Sequence, residues 1–153
     1  MASVRVQSED FDVTAESEAL GGDDVGALVS FVGLCRGERG TLKALEIEHY
    51  PGMAEAEMAR VAAEAEARWP LHGLTIIHRH GAIPVGGRIV LVVASSAHRR
   101  AAFEAAEFLM DYLKTRAPFW KRTHLVDGSI GEWVEAKADD DSAAERWSLG
   151  RSD

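Results

Sequence analysis

The chain has 153 residues, a length that suits one hydrophobic core of ordinary size, so residues 1–153 are read as a single domain. With 46% hydrophobic and 27% charged residues it has the apolar content of a folded protein and not that of a disordered one. A net charge of −8 excludes a general electrostatic grip on nucleic acid or anionic lipid, so any anion-binding function must be local. The longest apolar run, Ile89 to Ala94, is far short of the roughly 20 residues that span a bilayer. The first residues show no basic segment leading into an apolar one, so a cytoplasmic location is expected. A single cysteine, Cys35, excludes an intrachain disulfide and any paired-cysteine zinc or redox motif.

In chain order, Val4 and Val6 alternate with polar neighbours as a short strand. Ala15 to Leu20 then reads as a brief helix ended by Gly21-Gly22. Val25 to Phe31 has the composition of a buried strand. The polar loop Arg36 to Gly40 leads into Leu42 to Tyr50, where Leu45 and Ile47 alternate with Glu46 and Glu48, and the two strands are expected to pair as a hairpin. Met53 to Trp69, rich in Ala and Glu, predicts a helix stopped by Pro70. Leu74 to His78 and Arg88 to Ala94 are two further strands around a Gly/Pro-bearing turn, Gly81 to Gly87.

Ser95 or Ser96 is positioned to cap a long helix, Ala97 to Arg116, closed by Pro118. Its stripe of Ala102, Ala106, Leu109 and Leu113, with Phe103 and Met110 beside it, predicts packing against a sheet. Phe119 to Val126 and Glu132 to Ala136 flank the turn signal Asp127-Gly128-Ser129 as a C-terminal hairpin, followed by a short acidic helix at Asp139 to Trp147. The expected class is α+β, with mixed or antiparallel strands, two main helices and a C-terminal β-hairpin.

Charge is unevenly placed along this plan. From His98 to Arg122 six cations (Arg99, Arg100, Lys114, Arg116, Lys121, Arg122) face three acids (Glu104, Glu107, Asp111) in an otherwise acidic chain. A mixed-charge helix face is often simply solvated. His98, Arg99 and Arg100, however, fall in the first turn of their helix, where cations oppose the macrodipole unless an anion compensates. Free backbone N–H groups at that end favour the same phosphate or carboxylate. At about 100° per residue Arg99 shares a helical line with Phe103, Met110 and, near its edge, Lys114, which suggests that both cations turn toward a pocket.

Lys114 and Lys121 are two of four lysines in the chain, and Pro118 between them turns the backbone so that their ammonium groups can converge. Arg116 and Arg122 keep their charge, and with burial against Phe119 and Trp120 they would lower a lysine pKa, suiting it to acid, base or nucleophilic work. Two snorkelling surface lysines are the bland alternative. Cys35, beside Arg36, is a weaker candidate nucleophile and is as readily a small core residue. His78 and His80 share a strand face without a third metal ligand at a recognisable spacing. Glu46 and Glu48 read as solvated strand carboxylates, and no glycine loop of the phosphate-cradling kind is present.

At LEIEHYPGM (Leu45 to Met53), SSAHRRAAFEAAEFLMDYLKTRAPFWKR (Ser95 to Arg122) and WVEA (Trp133 to Ala136), the chain resembles the large, catalytic subunit of molybdopterin synthase, over about Phe31 to Val134. The resemblance implies an α/β-hammerhead subunit that forms a homodimer. Each subunit would bind a small ubiquitin-like sulfur carrier, making a heterotetramer. It implies a sulfurtransferase acting on a cyclic pyranopterin monophosphate, with two sulfurs supplied from the carrier's C-terminal Gly-Gly thiocarboxylate, two carriers consumed per product, and no metal or organic cofactor.

Carried over by position, Lys114 and Lys121 correspond to the active-site lysines, His98 and Arg99 to substrate-binding residues, and Arg36 to the arginine after the FxG strand. Leu34 and Cys35 stand where the family often has Lys-Val, Thr123 where it commonly has Glu after Lys-Arg, and Lys137 where an Arg reaching across the dimer is expected. With Arg122, these complete the expected substrate pocket. Two other classes remain open on the residues alone: a module that binds a phosphorylated small molecule without converting it, and a Cys35-dependent hydrolase or acyltransferase.

Overall fold

The computed structural model describes residues 2–134 and Trp147. Among them the order is β1 (Ala2–Gln7), α1 (Val13–Glu18), β2 (Ala27–Leu34), β3 (Leu42–His49), α2 (Met53–Arg68), β4 (Leu71–Arg79), β5 (Gly81–Pro84), β6 (Arg88–Ser96), α3 (Arg99–Thr115) and β7 (Phe119–Leu125). The class is the expected α+β, with both parallel and antiparallel pairing, and none of the described helices is long and apolar enough to cross a membrane.

A four-stranded sheet, ordered β1-β4-β6-β2, forms the centre. Gly73 to His78 of β4 and Ile89 to Ser96 of β6 are buried without a break, as expected of strands covered on both faces. Because successive side chains point to opposite faces, Ile76 and Val92 join Met58, Val61, Phe108 and Leu109 under α2 and α3. Ile77, Leu91 and Val93 turn the other way, onto Phe11, Val13 and Leu20 around α1.

The expected pairing of β2 with β3 is not formed. β2 instead runs antiparallel to β6, and β3 is the middle strand of a second sheet, ordered β5-β3-β7. β6 offers β2 an apolar partner strand, beside which Val29 and Val32 pack onto the two sides of the core. β5 occupies what reads in sequence as only a turn, and its four residues pair with Ala44 to Ile47.

α2 begins where Gly52, at φ +87°, donates its N–H to the Glu55 carboxylate at 2.8 Å. α1 starts earlier than its composition suggests, because Asp12 accepts from the Ala15 N–H and sets the first turn at Val13. The cap expected from Ser95 or Ser96 is also not formed: both are buried at the end of β6, and Ser96 Oγ donates to the Pro70 carbonyl at 2.9 Å. His98 holds the N-cap position in extended conformation without a side-chain cap bond. Just before it, Gly26 donates to the Ser96 carbonyl at 3.0 Å, and a Cβ on Gly26 would lie 2.2 Å from the Ala97 carbonyl oxygen.

β7 folds back through Asp127-Gly128-Ser129, with bridges His124 to Ile130 and Lys121 to Val134, as the expected C-terminal hairpin. The end of its second arm, Glu135 and Ala136, lies outside the described residues, as do Lys137 and all of the expected acidic helix except Trp147. The Trp147 ring packs against Trp69 and Phe108.

Candidate active site

Between the two sheets, where α3 ends, lies a cavity of about 860 Å³. Its apolar wall includes Leu42, Leu45, Ile89, Leu113 and Phe119. The end of β2 supplies Leu34, Cys35 and Arg36, the last turn of α3 supplies Lys114, and β7 supplies Lys121, Arg122 and Thr123. The two lysines reach one cavity because Pro118 ends the helix and β7 runs back beneath it. Phe119, Lys121 and Thr123 share one face of β7 by the two-residue strand period.

Each charged group is held differently. Arg122 Nε donates to Glu46 Oε1 at 2.8 Å, and its guanidinium lies 4.4 Å from the Trp133 ring centroid. His124 Nε2 donates to the same carboxylate oxygen at 2.8 Å. Hydrogen bonds from Arg122 and then His124 hold the Glu46 carboxyl below its ordinary pKa. Arg36 is largely exposed at the rim and lies 3.4 Å from Glu38. Glu38 and Arg39 both adopt left-handed φ, +49° and +57°, in a tight turn closed by the Gly40 N–H on the Gly37 carbonyl.

Cys35 is 3% exposed, and its backbone is tied to Gly86 and Gly87. Burial pushes its thiol pKa up, so the thiolate a nucleophile needs is disfavoured.

His98 and Arg99 are not part of this cavity. Both are exposed at the start of α3, while Lys114 lies in its last turn. The helical line proposed for Arg99 faces outward: Phe103 is 60% exposed and, with Phe31 and Met110, lines a shallow groove between α3 and β2, the outer strand of its sheet.

Three contributors were missed by reading the sequence. Glu46, taken for a solvated carboxylate, anchors Arg122; alternation placed it on the face opposite Ile47 but could not show what faced it. Trp133 supplies an aromatic face to the same arginine. His78, considered only as a metal ligand, lines the cavity, with its ring 3.8 Å from the Phe119 ring and nearly parallel to it at 14°. A histidine inside an apolar strand was the available signal.

The family described as MoaE protein matches residues 6–116. The molybdopterin synthase catalytic subunit of Mesorhizobium japonicum is 69% identical over 147 residues, covering 95% of this chain and 92% of that protein. Among solved structures, the molybdopterin biosynthesis MoaE protein from Burkholderia ambifaria MC40-6 superposes with a TM-score of 0.83 at 45% identity, covering 97% of this chain and 99% of that one. The same fold recurs, with a TM-score of 0.72 and 22% identity over 88% of this chain and 90% of that one, in the protein-protein complex of subunits 1 and 2 of molybdopterin-converting factor from Helicobacter pylori 26695.

Proposed function

Because the chain belongs to the MoaE family, we propose that it is the catalytic subunit of a molybdopterin synthase, a sulfurtransferase of molybdenum cofactor biosynthesis, working in the cytoplasm. The observation that carries this reading is one cavity holding Lys114 and Lys121 with Arg36 and Arg122 in an otherwise acidic protein. Its substrate is a cyclic pyranopterin monophosphate, and sulfur arrives on the C-terminal Gly-Gly thiocarboxylate of a small ubiquitin-like carrier. The carrier's sulfur bonds to a side-chain carbon of the pterin as the carbon–oxygen bond at that carbon breaks, and the leaving oxygen takes a proton from a lysine. Water then cleaves the carrier's acyl–sulfur bond, leaving sulfur on the pterin and a carboxylate on the carrier, and a second carrier repeats the step. Lys114 and Lys121 offset the negative charge that develops on oxygen and move protons, and the arginines hold the anionic ends of the two reactants.

Leu34, Cys35 and Thr123 shape the cavity wall. His98, Arg99 and Lys137 act in the assembled enzyme, a homodimer with one carrier on each subunit, in which the partner's helix start carries the phosphate-binding pair. Two observations support that assembly: α3 separates Arg99 from Lys114 by most of its length, and the groove of Phe31, Phe103 and Met110 leaves apolar surface to cover.

The test is mass spectrometry of the chain mixed with the cyclic pterin monophosphate and thiocarboxylated carrier. The pterin is expected to gain two sulfurs with the native chain and none with Lys114→Ala. Binding without sulfur gain, using a carrier of proven activity, would favour the non-catalytic binding module instead.

A further inference from the structure

His78 is 6% exposed, yet it belongs to the wall of the cavity. Its Nδ1 lies 2.9 Å from the Arg79 carbonyl oxygen. A carbonyl only accepts, so Nδ1 carries the proton and Nε2 carries the lone pair. Among the described residues the one buried side-chain nitrogen or oxygen without a partner is His49 Nδ1, and no hydrogen bond is made by His78 Nε2. Nε2 is therefore left as an unused acceptor on a residue that lines the cavity.

The surroundings fix that state. The Phe119 ring stacks on one face of the imidazole and holds its plane, while the Nδ1 bond to the Arg79 carbonyl sets which way round the ring sits. Burial holds its pKa down at about 3; the Arg79 carbonyl opposes burial in part, and Lys121 from β7, Lys114 from α3 and His49 from β3 each add a smaller downward push. The other side chains that charge the cavity are Arg36 and Arg122, which donate, and Glu38 and Glu132. His78 thus adds a neutral acceptor, locked in one tautomer, to a pocket whose basic groups are donors.

We infer that His78 Nε2 is a substrate-contacting group that accepts a hydrogen bond from a ring N–H of the bound pterin and so selects a reduced, donor-bearing heterocycle over other phosphorylated ligands. This deepens the proposed function and rests on the pterin monophosphate being the ligand of this cavity. An acceptor that cannot become a donor discriminates in one direction: a ligand that presents a carbonyl or ring nitrogen at this point leaves two acceptors facing each other and binds more weakly.

The experiment compares the full chain with His78→Phe, which keeps the stack on Phe119 and removes the acceptor. Affinity for the cyclic pterin monophosphate is expected to fall roughly tenfold or more, the size of one lost hydrogen bond to a buried partner, while affinity for inorganic phosphate is unchanged. In turnover, KM for the pterin should rise by a similar factor with kcat nearly constant, the pattern of lost ground-state binding. Equal pterin affinity in the two proteins would overturn the inference.

A measurement on the native chain does not depend on the variant folding. The ¹⁵N resonance of His78 Nε2 should report an unprotonated nitrogen without ligand and move when the pterin is added. A protonated Nε2, a resonance indifferent to pterin, or a native chain that binds no pterin would each reject it. Sulfur transfer with unaltered affinity in His78→Phe removes this inference alone. Pterin binding that depends on His78 but leads to no sulfur gain removes the sulfur-transfer reading alone.

Discussion

Arg99 and Lys114 begin and end the same helix, and at 1.5 Å of rise per residue they stand about 22 Å apart. No pterin monophosphate spans that distance, so the two cations can serve one ligand only if they come from different copies of the chain.

Mixing inactive variants tests this directly. Arg99→Ala and Lys114→Ala are each expected to be severely impaired. In a mixture that exchanges subunits, half of the dimers are hybrids with one intact site, so about a quarter of native turnover should return. No recovery, with exchange verified, would place both residues in sites built from one chain.

Lys114→Ala and Lys121→Ala should each lower kcat by about a hundredfold or more, the usual scale for losing a positioned proton donor or charge-stabilising group. Both side chains are partly exposed and carry little of the core, so circular dichroism and thermal melting should stay close to native. Native turnover in either variant would remove that lysine from the mechanism.

Cys35→Ala separates sulfur transfer from thiol catalysis. Since burial disfavours the thiolate, activity should remain within about twofold of native, with a stability loss of about 1 kcal/mol for the vacated volume. Abolished turnover in a folded variant would revive the cysteine-dependent reading.

Glu46→Gln tests the anchor of Arg122. The Glu46 carboxyl has a depressed pKa in the folded chain, so its contribution to stability is complete above the unfolded carboxyl's pKa and disappears as pH falls through the folded value. Melting curves of native and variant should therefore differ near neutral pH, by about 1 kcal/mol at most for so open a pair, and converge in acid. A gap that widens on acidification would contradict the assignment.

Gly26→Ala forces a methyl group against the Ala97 carbonyl oxygen, next to the residues that open α3. Overpacking against backbone should cost about 1–3 kcal/mol, measurable by denaturant titration. An unchanged midpoint would mean that the start of α3 yields freely.

The elements that could be read ahead of the structure are those whose signal is local. Met53 to Arg68 is helical because Ala and Glu favour helix and Pro70 stops it. The stripe from Ala102 to Leu113 keeps its period and is buried as expected. Leu74 to His78 and Arg88 to Ala94 likewise read as strands and form most of β4 and β6. β5 escaped because four residues containing a glycine and a proline carry no strand period, and Ser95 and Ser96 misled because the same hydroxyl that caps a helix can end a strand.

By itself, the sequence determined the class of the fold, the convergence of Lys114 and Lys121 on one pocket and, through long family-specific runs, the family to which the chain belongs. Only the tertiary structure decided that β2 pairs with β6 and not β3, that Arg99 stays outside the cavity that Lys114 lines, that Glu46 holds Arg122, and that His78 stands in the cavity wall. The physical reason is range. Propensity, capping and charge count act over a few residues, whereas strand partners and a histidine's tautomer are set by groups such as Phe119 that reach the site from distant parts of the chain.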